Sequence, residues 1–194
     1  MSTYQWPYQN EIGQEEEASC DVLVLGGGLA GCYACLLYTS FRVIGYMIQT
    51  TNKKGEGRKA VPSHWARFKA EGLEKPLLEL TEQEPQGLFG INIYNTDEAD
   101  PRKFEYLIAA AGSSDAQGEF TAYTVPAMTW AVFPCTIETI GKMEAQAITK
   151  WLPKSKYRAL NKGYLMGKMK SGAPDIEYYG KDGYAEVWIA VKEK

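Results

Sequence analysis

The first 41 of the 194 residues contain no lysine, arginine or histidine. Five acids (Glu11, Glu15, Glu16, Glu17 and Asp21) stand there unopposed. All 21 bases fall at or after Arg42, against 19 acids, so the rest of the chain is near neutral at +2. Bases dispersed over a near-neutral body leave no electrostatic footprint for nucleic acid. Long apolar runs are missing too: none approaches the ~20 residues of a membrane-spanning helix, and no basic-then-apolar leader opens the chain. Four scattered cysteines do not make a disulfide framework, so a cytoplasmic location is expected. The single histidine, His64, is the one base open to a Ser-His-Asp or Cys-His pair, and near a helix start a surface or capping role is commoner. No His, Cys or acid group has metal-ligand spacing, which disfavours a metalloenzyme; no cofactor is expected. At 45% hydrophobic and 23% charged residues, the composition is that of an ordinary globular domain.

What is present at the N-terminus is a glycine motif. DVLVLGGGLAG, from Asp21 to Gly31, is an apolar strand followed by Gly26-x-Gly28-x-x-Gly31. These glycines suit a tight turn, close approach to a pyrophosphate and close helix–strand packing, with a helix to follow. The stretch ASCDVLVLGGGLAGCYA resembles the N-terminus of FAD-dependent oxidoreductases. The motif also needs an acid ~20 residues on, for a ribose hydroxyl, yet none lies between Asp21 and Glu56. Gly26, Gly28 and Gly31 therefore read as a truncated dinucleotide motif, and FAD is not expected. CLLYTS (Cys35 to Ser40) back-translates to a sequence resembling the mosaic end of a transposon used to fragment DNA for sequencing. Residues 1–40 are expected to be a chimeric stub joined by adapter sequence, the alternative being a genuine extension. Cys32-x-x-Cys35 lacks the second ligand pair or thioredoxin-like setting that a zinc or redox role needs.

From Phe41 the pattern is regular. Phe41 to Thr50 alternates as a strand, with Phe41, Val43 and Gly45 on one face and Ile44, Tyr46 and Ile48 on the other. A helix is expected with Pro62-Ser63 near its start, carrying Trp65 and Phe68 at i, i+3, and stopped by Gly72 and Pro76. LFGINIYN (Leu88 to Asn95) and KFEYLIAAA (Lys103 to Ala111) read as strands joined by the acidic turn Asp97–Asp100. The order then recurs. FTAYTVPAMTWAVFPC is a strand broken by Pro126, and TIETIGKMEAQAITKWL is an amphipathic helix with Thr136 as N-cap. Its apolar stripe is Ile137, Ile140, Ala147, Ile148, Trp151 and Leu152. GYLMGKMK and DIEYYG supply strand material, and YAEVWIAVK closes the chain. FEYLIAA matches AEVWIAV, placing Glu105 opposite Glu186. The expected fold is α+β: duplicated strand-helix-strand-strand modules with pseudo-two-fold symmetry.

This duplicated module, the W-x-x-F pair, WAVFPC and the terminal AEVWIAV resemble the GyrI-like small-molecule-binding domains, which also serve as the effector-binding part of AraC-type transcription regulators. The resemblance covers residues 41–194 and implies a central ligand cleft between the two sheets. No helix-turn-helix precedes the domain, so direct DNA binding by this chain is not expected.

On the last strand, the period of two separates Ala185, Val187, Ile189 and Val191 from Glu186, Trp188 and Ala190. With the apolar set packed on the helices, Glu186 and Trp188 are expected to face the cleft. A carboxylate among aromatics suits a lipophilic cation, each ring adding ~0.5–2 kcal/mol. The candidate ligand-binding residues are Glu186, Trp188, Trp65, Trp130, Phe68, Tyr94 and Tyr106. Glu105 reads as an exposed strand acid, Glu177-Tyr178 as a further acid–aromatic pair at the cleft mouth, and Cys135 as a buried small apolar residue. The expected function is binding of a small hydrophobic effector, cations included, as a stand-alone sensor or sequestering domain or as a regulator's sensor half. The alternatives are a hydrolase of electrophilic natural products using the cleft Glu as general base, and gyrase-inhibitor-type binding of a protein partner.

Overall fold

The structure is a computed structural model that describes residues 22–25, 33–37, 40–80, 85–94, 96–112, 118–161 and 171–194. The glycines Gly26, Gly28 and Gly31, Cys32 and the segment GYLMGKMK lie outside the described residues.

β-Branched and aromatic residues at period two build most of the chain into strands. The strands are β1 (Val22–Leu25), β2 (Tyr33–Leu37), β3 (Phe41–Thr51), β4 (Leu88–Tyr94), β5 (Lys103–Ala111), β6 (Thr121–Val125), β7 (Met128–Thr136), β8 (Tyr157–Ala159), β9 (Asp175–Tyr179) and β10 (Tyr184–Glu193). They form one antiparallel sheet in the order β1-β2-β7-β10-β9-β4-β5-β3-β6, with β8 pairing the end of β10. The first module contributes β3, β5 and β4; the second contributes β9, β10 and β7. The two sheets expected side by side are thus fused edge to edge at the β4–β9 seam, where Ile91 pairs with Ile176. On the outer edges the modules exchange strands. β6, which leads into β7, pairs with β3, and β2, which precedes β3, pairs with β7. Tyr33–Leu37 is therefore extended backbone at the point where the glycine motif would require a helix.

Among the described residues, helices cover one face only. α1 (Gly57–Ala70) and α2 (Glu74–Leu78) lie on the first module. A 3-10 turn (Ile137–Thr139), α3 (Ile140–Gln146), a π turn (Ala147–Trp151) and α4 (Leu152–Lys154) lie on the second. Thr136 opens that run as expected, its backbone N–H donating to Thr139 Oγ1 at 3.0 Å. α1 begins a turn earlier than its sequence signals imply, so Pro62 sits inside the helix. Gly57 makes the early start fit, because a Cβ there would lie 2.8 Å from the Phe104 ring.

The core has three parts. Under α1 and α2, Phe68 and Leu77 pack on Tyr46, Tyr106 and Ile108. Under the second helical run, Ala147 and Leu152 pack on Phe133, Val187 and Ile189. The third part, around Phe89, Ile91, Leu107, Trp130, Ile176 and Trp188, contains no helical residue. There the sheet covers itself. The Phe41 ring lies 5.6 Å from Phe89 and 6.3 Å from Trp188, although β3 and β10 are four strand spacings apart, ~19 Å in a flat sheet. The sheet closes on the side away from the helices, and Trp130 is fully buried there. Among the described residues no helix is long and apolar enough to cross a membrane.

Candidate functional site

β9 crosses the middle of the sheet beneath the gap between the two helical layers. Its period of two turns Asp175, Glu177 and Tyr179 toward the helices and sends Ile176 and Tyr178 into the helix-free core. Two aromatic hydroxyls converge on Glu177. Tyr179 donates to Oε2 at 2.8 Å and Tyr106, from β5, donates to the same oxygen at 3.3 Å. Trp65, from α1, donates its indole N–H to the Tyr106 oxygen at 2.8 Å, and its ring meets Tyr179 edge-on at 4.9 Å. Among the described residues Oε1 of Glu177 receives no hydrogen bond.

Tyr106 reaches Glu177 by passing over β4, at Gly90. A Cβ at Gly90 would lie 2.2 Å from the Tyr106 oxygen and 3.2 Å from Glu177 Oε2. The hydrogen bond therefore exists only because β4 carries no side chain at that point.

Two further acids share the neighbourhood. Asp175 accepts from Tyr94 at 2.9 Å and from the Asn161 amide at 3.3 Å. Glu144 descends from α3, in the stripe that also carries Ile140 and Ile148. Burial pushes the Glu144 carboxyl up to about 7, helped by the charges of Glu177 and Asp175. Asp175 is pushed up to about 6, again chiefly by burial, against the pull of its Tyr94 and Asn161 hydrogen bonds. Burial also raises Glu177, while the two tyrosines hold it down in part. The same desolvation raises the Tyr106 and Tyr179 hydroxyls, which keeps them as donors. None of the three acids has a salt bridge among the described residues. Nor does any group of three His, Cys, Asp or Glu there have metal-binding geometry.

These groups open onto two cavities on the helix side. One, of about 450 Å³, is bordered by the acids Glu144, Asp175 and Glu177, by the bases Arg158 and Lys194, and by Asn92. The other, of about 740 Å³, lies between the helical layers and is bordered by Trp65, Phe68, Leu78, Ile137, Ile140 and Tyr179. Glu177 borders the first and its donor Tyr179 the second, so the pair stands where they approach. Both volumes suit a small organic ligand.

The expected ligand residues divide between the two faces. Trp65, Phe68, Tyr94 and Tyr106 lie on the helix side, around Glu177 and Asp175. Glu186, Trp188 and Trp130 do not join them. The expected packing of Val187, Ile189 and Val191 on the helices holds, but that packing turns Glu186 and Trp188 away from the cleft, because the helices and the cleft share a face. Trp188 borders the smaller cavity, yet its ring packs against Phe41, Phe89 and Trp130 on the other side. Glu186 accepts from the Trp188 indole at 2.6 Å and from the Tyr184 hydroxyl. Glu105 also projects away from the helices, on the face of Leu107 and Ala109. His64 is buried rather than capping: at 5% exposure it donates Nε2–H to the Tyr46 carbonyl at 3.0 Å, and burial lowers its pKa. Burial raises the Cys135 thiol to about 11, which leaves it no ready nucleophile.

Sequence reasoning passed over Gly90 and Glu144, though each left a signal. A glycine inside the strand LFGINIY marks a close approach, and a glutamate interrupts the apolar stripe of the second helix.

The family profile of integron-associated effector-binding proteins (Cass2) matches residues 38–191, and the chain belongs to that family. Among solved structures, SAV2435 bound to tetraphenylphosphonium has a TM-score of 0.63 at 17% identity, covering 89% of this chain and 94% of that one. A putative transcription regulation protein from Staphylococcus aureus MU50 has a TM-score of 0.59 at 19% identity, covering 79% and 94%. The integron cassette protein VCH_CASS2, from the mobile metagenome of Vibrio cholerae, has a TM-score of 0.57 at 15% identity, covering 89% and 99%. At these identities the likeness is one of fold, the GyrI-like α+β fold. No relative among curated proteins matches.

Proposed function

We propose that this chain binds a small hydrophobic cation in the helix-side cleft, with Glu177 as the counter-charge, Tyr106 holding that carboxylate, and Trp65, Phe68 and Tyr179 as the aromatic wall. The observation that carries this reading is a half-buried carboxylate, raised by desolvation and held by two tyrosines at a cavity, with no salt bridge among the described residues. Such a carboxylate is costly when empty and gains most from a cation that brings its own apolar surface. Ring faces add to the attraction. The binding unit is residues 41–194, acting as a free-standing sensor or sequestering domain or as the sensor half of a regulator. The family match supports an effector-binding role, and the tetraphenylphosphonium held by SAV2435 recommends that cation as a probe.

The test is calorimetric titration of the full chain with tetraphenylphosphonium. Saturable binding, weakened about tenfold or more in Glu177→Gln (roughly 1.4 kcal/mol), is expected. No binding by folded wild-type protein, or equal binding by the variant, would sink the reading.

A second reading rests on the tyrosine donors beside a carboxylate of raised pKa: Glu177 as general base in hydrolysis of an electrophilic ligand, with Tyr179 assisting. Recovery of chemically unchanged ligand after long incubation would exclude it for that ligand.

A further inference from the structure

We propose that Gly90 is a positioning residue of this cleft. Its missing side chain is the opening through which the Tyr106 hydroxyl crosses β4 to fix Oε2 of Glu177, leaving Oε1 to meet the ligand. The inference rests on the reading of Glu177 as the ligand's counter-charge.

A glycine inside a strand costs ~0.5–1 kcal/mol relative to alanine unless close packing requires it. Two strand glycines meet that condition in different ways. At Gly45 a Cβ would lie 1.9 Å from the Ile108 carbonyl oxygen, so the backbone of the neighbouring strand excludes it. At Gly90 the nearest obstacle is a side-chain atom, the Tyr106 oxygen at 2.2 Å, followed by the Tyr106 ring carbon Cζ at 3.1 Å. Gly45 thus lets strands pack, whereas Gly90 makes room for one hydroxyl. That hydroxyl spans a whole strand: Gly90 pairs with Ile108 on one side and with Glu177 on the other. Glu177 is then gripped from both directions at one oxygen, by Tyr179 from its own strand and by Tyr106 from two strands away. The indole of Trp65 holds Tyr106 in that reach.

The geometry predicts a specific coupling. Gly90→Ala should expel the Tyr106 hydroxyl, and should therefore do nothing further once that hydroxyl is gone. In Tyr106→Phe the nearest contacts left to the Cβ lie near 3.1 and 3.2 Å, which a shift of tenths of an ångström relieves.

The experiment is a carboxyl-carbon NMR titration of Glu177 in the full, ligand-free chain, for wild type, Gly90→Ala, Tyr106→Phe and the double variant. Loss of a hydrogen bond to the carboxylate raises its midpoint. Gly90→Ala and Tyr106→Phe should each move the midpoint up, and the double variant should match Tyr106→Phe alone. The melting temperature lost in Gly90→Ala should largely return in the double variant. If Gly90→Ala does not fold, the double variant must fold for the inference to stand. An unchanged midpoint in Gly90→Ala, shifts that add in the double variant, or a double variant no better folded than Gly90→Ala would overturn it. Failure of the wild-type chain to bind tetraphenylphosphonium would overturn the reading of the cleft instead, and the titration would still decide the role of Gly90.

Discussion

Glu177 and Glu186 lie on neighbouring strands, one register step apart: Glu177 pairs with Val187, and Glu186 with Tyr178. Their local chemistry is nearly the same. Each accepts from a tyrosine two residues away on its own strand, Tyr179 in one case and Tyr184 in the other, and each has a tryptophan close by. What differs is the face. Glu177 looks into the gap between helical layers, where two cavities open. Glu186, half-buried like Glu177, lies on the opposite face, beside the exposed Tyr184 and at the margin of a core that the sheet closes over. A carboxylate with aromatic donors is thus not enough to define a binding site; what covers its face decides whether a ligand has somewhere to go.

The largest effect that would sharpen this contrast is on stability. Trp130→Ala removes a fully buried indole from the helix-free core and should destabilise the fold by ~3–5 kcal/mol, measured by urea unfolding. Protein that still folds should keep its affinity for tetraphenylphosphonium if the cation binds on the helix side, as proposed. A loss of affinity in variant protein that is still folded would break the comparison.

Next is charge. Glu177→Gln should weaken binding of the cation by about 10–100-fold, as for loss of one close, desolvated charge pair, in the same calorimetric assay. The smallest effect is expected from Glu186→Gln, less than about twofold, as for a surface polar change within ~0.5 kcal/mol. Reversed magnitudes would move the site to the other face.

Between these falls pH. Glu144 near 7 and Asp175 near 6 keep protons in the folded protein that the unfolded chain releases at lower pH. The folded state therefore binds more protons than the unfolded one as pH rises from about 4 to about 7, and stability falls across that window. Cation affinity should move the other way, rising by up to about tenfold per pH unit for each proton released. Melting curves and titrations at pH 5 and pH 8 check both signs, and Glu144→Gln should flatten both trends.

Much of the fold was legible in the sequence. Alternation along YAEVWIAVK correctly sorted Val187 and Ile189 from Glu186 and Trp188, and the repeat of FEYLIAA in AEVWIAV announced the duplicated modules. The face that carries the cleft was not legible. With both faces covered, by helices on one side and by the closing sheet on the other, apolar and aromatic residues occupy both sets of alternating positions. Nothing within Glu186's own strand says which cover is pierced by a cavity. The acid at the cleft was half visible: in DIEYYG, period two places Asp175, Glu177 and Tyr179 on one face, two acids in line with a tyrosine. Reaching Glu177 needed the pairing of β9 with β4 across the module seam, a contact between segments far apart in the chain that no local pattern encodes.

The most direct measurement of the central claim is the crystal structure of the full chain with tetraphenylphosphonium. The account predicts the phosphonium centre within ~6 Å of the Glu177 carboxylate, the reach of a cation among ring faces, with its phenyl rings against Trp65 and Tyr179. A cation seated beside Glu186 and Tyr184, on the face away from the helices, would contradict it.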